Sequence, residues 1–156
     1  METLTLKDVR PEDEAGLFEL FAAVRTGELG MQEWEPGLRD QILRLQFEAQ
    51  RRSYRAEYPA ADDRLIELDG APVGWVVVDR SGPELHGIDI ALLAEKRGQG
   101  LGTRVIRALQ EEAAAGDRPM VTTVNRTNVQ ALAFYVRLGF RAIKETDAHI
   151  VMEWRR

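Results

Sequence analysis

The sequence predicts an α/β (α+β) domain: a mixed, mostly antiparallel central sheet of about seven strands flanked by about four helices. Three observations carry this prediction. Strand-like segments cluster in runs instead of alternating regularly with helices, which argues against a doubly wound fold. "DGAP" between two apolar runs is a hairpin signal. The last two segments, "FRAIKE" and "HIVMEW", read as a closing hairpin.

Taken in order, "LTLKDV" alternates as a strand does. "RPEDEAGLFELFAAVR" reads as a helix, with Pro11 near its first turn, acidic residues at its positive end, and an apolar stripe of Leu17, Leu20, Phe21 and Val24. Residues 25–37 read as an irregular loop. A second helix spans roughly Leu38 to Glu57 and is stopped by Pro59, with Leu38, Ile42, Leu45 and Ala49 as its expected core stripe. "RLIEL" and "VGWVVV" are strands, and "SGP" turns the chain into the strand "ELHGIDIALL". A glycine-rich segment follows and opens a helix to about Gly116. "PMVTTV" is a strand, and "NVQALAFYVRLG" a short helix ended by Gly139, with Val129, Leu132, Ala133 and Val136 as the expected core stripe. The order is β-α-α-β-β-β-α-β-α-β-β, a single domain over residues 1–156.

The chain has 156 residues, enough for one domain with a proper core. With 44% hydrophobic and 30% charged residues, it reads as globular. A formal net charge of -5 argues against nucleic acid as the main partner. There is no cysteine, which excludes disulfides, thiolate metal sites and cysteine nucleophiles. The N-terminus has no apolar signal core, and no run approaches membrane-spanning length. A cytoplasmic protein without a membrane or metal is expected, and a homodimer stays open.

"KRGQGLGTRVIRALQEE" places Gly98, Gly100 and Gly102 between a strand and a helix. Glycines there can turn backbone N–H groups towards a ligand, and the helix start adds unpaired N–H groups and positive potential. That combination suits a phosphate, and a tight strand-to-helix turn is the plainer alternative. The Walker A pattern fails, because no Lys precedes a Ser or Thr after the last glycine. The dinucleotide fingerprint fails at Thr103. What fits is Arg97-x-x-Gly100-x-Gly102 directly after the strand "IDIALL". A second segment, "NRTNVQALAFYVRLGF", carries Asn128, Ala131, Tyr135, Leu138, Gly139 and Phe140.

Together the two segments resemble the signatures of the GNAT N-acetyltransferase superfamily, with the specific likeness over residues 85–140. The resemblance implies a GNAT fold and acetyl-CoA (coenzyme A) as co-substrate. It implies that backbone groups of Arg97, Gly98, Gln99, Gly100, Leu101, Gly102 and Thr103 hold the pyrophosphate. Main-chain groups of Ile90, Ala91, Leu92 and Leu93 would pair with the pantetheine arm. Asn128, Ala131 and Phe134 would contact the cofactor. Asn128 reads equally as an N-cap. Tyr135 would be the general acid for the departing thiolate, and would otherwise be an amphipathic boundary residue. A backbone N–H near Leu92 or Leu93 would meet the oxyanion.

The attacking amine needs a base or water chain, with Glu84, His86 and Asp89 as candidates. Asp89 also reads as a structural carboxylate that accepts hydrogen bonds, and His86 and His149 as surface histidines. For the acceptor, a small-molecule or peptide amine stays open, and a small primary amine is expected against Glu33, Trp34 and Glu35 in the loop and Tyr54 and Tyr58 on the second helix, through charge and cation–π contact. A solvated helix face is the plainer alternative. The rival function is an acyl-CoA-binding sensor or regulatory module without catalysis.

Overall fold

The computed structural model describes residues 2–156. It contains seven strands: β1 (Leu4–Asp8), β2 (Ala61–Leu68), β3 (Ala71–Asp79), β4 (Leu85–Leu92), β5 (Met120–Asn125), β6 (Arg141–Glu145) and β7 (His149–Trp154). Its four α-helices are α1 (Glu14–Leu29), α2 (Pro36–Glu57), α3 (Leu101–Ala115) and α4 (Val129–Arg137). The strands order as β1-β2-β3-β4-β5-β7-β6. β1–β2, β5–β7 and β6–β7 pair antiparallel, and β4–β5 pair parallel from Leu85↔Met120 to Gly87↔Thr122. The predicted element order and sheet character therefore hold.

The chain divides into two compact units. The first runs up to Val77 and includes Asp89–Arg97. Its core is aromatic. Phe18 and Phe21 of α1 lie 5.4 and 5.3 Å from Phe47 of α2, and Phe21 lies 6.1 Å from Trp75 of β3. Leu17, Leu20 and Val24 complete the buried stripe of α1. Three arginines cover the rim of this core with their guanidinium groups: Arg25 over Phe21, Arg44 over Phe18 and Arg51 over Phe47. Arg44 keeps its charge in water while its stem packs, whereas Arg25 and Arg51 are more covered and pair with Glu28 and Asp63.

Two expectations are corrected in this unit. α1 continues through Leu29, so the first part of the expected loop is helical. Thr26 and Gly27 do not break it; the helix ends at Gly30, whose N–H donates to the Thr26 carbonyl. On α2 the buried residues are Leu43 and Phe47, whereas Leu38 and Leu45 are 49% and 68% exposed and Ala49 is exposed. The helix offered two apolar stripes. The one carrying the phenyl ring won, because burying Phe47 removes more apolar area from water than burying Leu45.

The second unit comprises Val78–Ile88 and Gly98–Arg156. α3 buries Leu101, Val105, Leu109 and Ala113 at spacings of four, with Ile106 beside them. Gln110, buried on the same helix, donates at 2.9 Å to the carbonyl of Leu138 at the end of α4. That end is closed by a Schellman motif: Gly139 N–H donates to Val136 and Phe140 N–H to Tyr135. β6 is exposed throughout and mixes Arg141, Lys144 and Glu145, which suits an unpaired sheet edge.

The expected core stripe of α4 is also corrected. Val129 and Val136 are 72% and 59% exposed, Ala133 is exposed, and Tyr135 is buried. The inward face runs from half-buried Ala131 through buried Tyr135 to buried Leu138, at offsets of four and seven, and continues into Phe140. Apolar residues beyond the helix end decided its rotation, which the pattern within the helix did not include.

Candidate functional site

In the second unit, Gly98 and Gly100 have φ of +74° and +80°. An L side chain is strained at these angles. A Cβ built on either glycine would meet nothing within 4 Å, so the space over the loop is open. Gly100 is the N-cap of α3 and supplies no side-chain cap. The first intrahelical bond is Arg104 N–H to Gly100 C=O at 3.0 Å. The N–H groups of Leu101, Gly102 and Thr103 therefore have no carbonyl of their own helix to bind. An anion with several acceptor oxygens matches this cradle in charge and hydrogen bonding.

Asn128 is the N-cap of α4, and its Oδ1 accepts the Ala131 N–H at 3.1 Å. The carbonyl end of this side chain thus fixes the helix start, and its amide nitrogen is the donor end. Tyr135 packs edge-on against Phe140 and Phe134, at 5.1 and 5.2 Å between ring centroids. Glu84 is exposed, and His86 is half-buried opposite Val121 in the β4–β5 register. His149 is exposed in the last hairpin.

In the first unit, the end of β4 is held close to β3. A Cβ at Gly74 would come within 2.1 Å of the Ala91 carbonyl oxygen, so only glycine permits this approach. Sequence reading missed Gly74, although a glycine inside "VGWVVV" is a signal of close backbone approach. The Leu93 N–H donates to the Val73 carbonyl at 2.9 Å. The Leu93 N–H is thus already paired with β3 in this structure.

Asp89 sits in a polar cluster. Its Oδ2 accepts from Trp75 Nε1 at 2.9 Å and from Gln50 Nε2 at 3.5 Å, and the Tyr54 hydroxyl hydrogen-bonds the same carboxylate. Burial, then the Asp89 charge and its hydrogen bond, push the Tyr54 phenol above its ordinary range. Gln50 also accepts from Arg25 at 3.1 Å, and Arg25 donates to Glu28 at 2.6 Å. Glu28 pairs with Arg97 at 3.5 Å. Gln50, Arg25, Glu28 and Trp75 had no sequence signal, because their roles depend on which face of each helix and strand turns inward.

The expected acceptor wall does not form one cluster. Glu33 and the 42%-exposed Trp34 precede α2, whereas Tyr54 and Tyr58, both half-buried, lie at its far end. At 1.5 Å per residue, the 18 steps from Pro36 to Tyr54 span about 27 Å. Glu35 is the N-cap of α2: its two carboxylate oxygens accept from Gly37 and Leu38 at 2.9 and 2.7 Å. Those bonds hold the Glu35 carboxyl below its ordinary range. A cleft beside the last turns of α2 is lined by Arg51, Tyr54, Arg55, Tyr58 and Asp63. Among the described residues, no group of His, Cys, Asp or Glu could hold a metal ion, and no helix is long and apolar enough to cross a membrane.

Residues 24–140 match the acetyltransferase (GNAT) family. The chain is 33% identical over 79 residues to an uncharacterized N-acetyltransferase of Methanocaldococcus jannaschii, which covers 49% of this chain and 51% of that protein. It is 33% identical over 102 residues to a mycothiol acetyltransferase of Corynebacterium glutamicum, covering 64% of this chain and 34% of that one. The chain thus aligns with about half and about a third of these relatives' lengths. Among solved structures, the fold is shared with the PaiA N-acetyltransferase of Thermoplasma acidophilum, crystallised in complex with coenzyme A: TM-score 0.72, 13% identity, 99% of both chains. It is shared also with the ribosomal-protein-S18-alanine N-acetyltransferase of Escherichia coli: TM-score 0.68, 18% identity, 99% of this chain and 93% of that one. With two sequence signatures, the strand order and a family match over most of its length in agreement, the chain belongs to the acetyltransferase (GNAT) family.

Proposed function

We propose that this chain is an N-acetyltransferase that moves an acetyl group from acetyl-CoA to a small primary amine by direct attack. The observation that carries the reading is the cradle at Gly98–Thr103, where open space, left-handed glycines and an uncapped helix start coincide. These groups fit a diphosphate by charge and by donor geometry. The acetyl thioester supplies the activated carbonyl, and the chain supplies position and charge.

Each unit has a part in this reading. In the second, the loop N–H groups anchor the diphosphate, and Asn128, Ala131 and Phe134 line the cofactor from α4. In the first, main-chain groups of Ile90 to Leu92 pair with the pantetheine amides, and the Leu92 N–H stabilises the oxyanion. The amine nitrogen attacks the carbonyl carbon, the C–N bond forms and the C–S bond breaks. Tyr135 protonates the thiolate, and the ammonium proton leaves through water. Asp89 orients that water or the amine, held in register by Trp75, Gln50 and Tyr54. Most of the rate comes from positioning, since no covalent enzyme intermediate is needed.

The acceptor is assigned to the Tyr54–Tyr58 end of α2, where the polar cluster around Asp89 lies in the same unit. Glu33 and Trp34 are too far along the helix to share a small acceptor with those tyrosines, and are left to a larger one. An amine library read out by released CoA thiol tests the function. Turnover with primary amines supports it. Acetyl-CoA binding without turnover on any amine would favour a binding module.

A further inference from the structure

Arg97, the residue that leads into the glycine loop, is already engaged in the free protein. Its Nε donates to the Leu92 carbonyl at 3.2 Å, and its guanidinium pairs with Glu28 at 3.5 Å. Both engagements occupy groups that the proposed cofactor would claim. The charge of Arg97 is neutralised by Glu28 instead of by diphosphate. The Leu92 carbonyl, an acceptor on the pantetheine-pairing strand, is covered by a guanidinium. Glu28 does not depend on Arg97, because Arg25 donates to it at 2.6 Å and is itself fixed by Gln50. Releasing Arg97 therefore leaves no buried or unpaired carboxylate behind. The pair is partly exposed, with Arg97 at 49% and Glu28 at 36%, so the hold is weak enough to be exchanged.

We propose that Glu28 and Arg97 form a latch over the end of β4 that makes this chain favour acyl groups carried on coenzyme A over the same groups on diphosphate-free pantetheine. The proposal rests on the acetyl-CoA reading above. A diphosphate outcompetes one carboxylate for Arg97, because it presents more charge and more acceptor oxygens. When Arg97 turns to it, the Leu92 carbonyl is uncovered for the pantetheine amide. Pantetheine alone cannot turn Arg97, so it meets a covered strand end. Arg97 thus ties recognition of the distal diphosphate to access along the strand.

Calorimetry with coenzyme A, and displacement of coenzyme A by pantetheine, test this on the wild type, Glu28→Gln and Arg97→Ala. Glu28→Gln should bind coenzyme A more tightly, by up to about fivefold, because it no longer competes for Arg97. Arg97→Ala should bind coenzyme A about tenfold more weakly, as expected for loss of one charge-assisted contact, while binding pantetheine more tightly than the wild type, because the Leu92 carbonyl is no longer covered. Those opposite signs are what a merely structural role of Arg97 would not produce. The latch is overturned if Arg97→Ala binds pantetheine no better than the wild type, or if Glu28→Gln leaves coenzyme A affinity unchanged or lower. A wild type with no affinity for coenzyme A overturns the cofactor reading itself, and the latch with it.

Discussion

Tyr135 combines two roles that pull in different directions. Its ring is part of the second unit's core, against Phe140 and Phe134. Its hydroxyl is the proposed proton donor. Tyr135→Phe keeps the ring, so the fold and acetyl-CoA affinity should persist while turnover falls by about 10²-fold. Equal pH–rate profiles for the two proteins would leave Tyr135 as packing alone. Gly74 is the complementary case, a residue whose effect comes from what it lacks. Gly74→Ala drives a methyl group into the Ala91 carbonyl. Overpacking of this kind costs about 1–3 kcal/mol, so denaturant melts should show a clear loss, and the shifted β4 end should bind acetyl-CoA less well. Unchanged stability would mean that β3 and β4 separate without cost. Tyr54 gives a test by pH. Its phenol is raised in the fold, so the stability it contributes is fully present below the ordinary tyrosine range near 10 and is lost as pH rises above that range, because the unfolded chain ionises first. Tyr54→Phe should flatten the alkaline loss of stability. Parallel alkaline melts for the two proteins would contradict a phenol held neutral by burial and by Asp89.

At the scale of elements, sequence reading located each α-helix and strand, missed two short 3-10 turns at Pro11–Asp13 and Ala94–Lys96, and misjudged which way two helices face. Periodicity marks apolar positions, but α2 presents two such rows, and only the partner surface of Phe18, Phe21 and Trp75 selects Phe47. On α4 the selection comes from Leu138 and Phe140, outside the helix. The glycine loop was legible because its chemistry is local: a left-handed turn and a helix start are made by adjacent residues. The Asp89 cluster was not, because Gln50, Trp75 and Asp89 lie far apart in sequence and meet only in the fold. The length of α2 then separates what the sequence had grouped. If the acceptor sits at the Tyr54 end, Tyr58→Ala should raise the acceptor KM several-fold, and Trp34→Ala should leave the KM of a small amine unchanged. The reverse result would move the acceptor to the other end of the helix.

For the whole molecule, the formal charge of -5 sets a constraint. A polyanionic co-substrate approaches an acidic protein, so the general field opposes it and local groups must supply the attraction. In the proposed reading the loop N–H groups and Arg97 supply that attraction, so the glycine loop is the point on which the proposal depends. The direct measurement is calorimetric titration of acetyl-CoA into the wild type and into Gly100→Val, with circular dichroism to establish that both are folded. At φ +80° the valine is strained, and its side chain fills the open space above the loop. The account predicts one acetyl-CoA per wild-type chain and an affinity at least about tenfold weaker in folded Gly100→Val, as expected when charge-assisted hydrogen bonds are lost. Equal affinity in the two folded proteins, or no binding to the wild type, would contradict it.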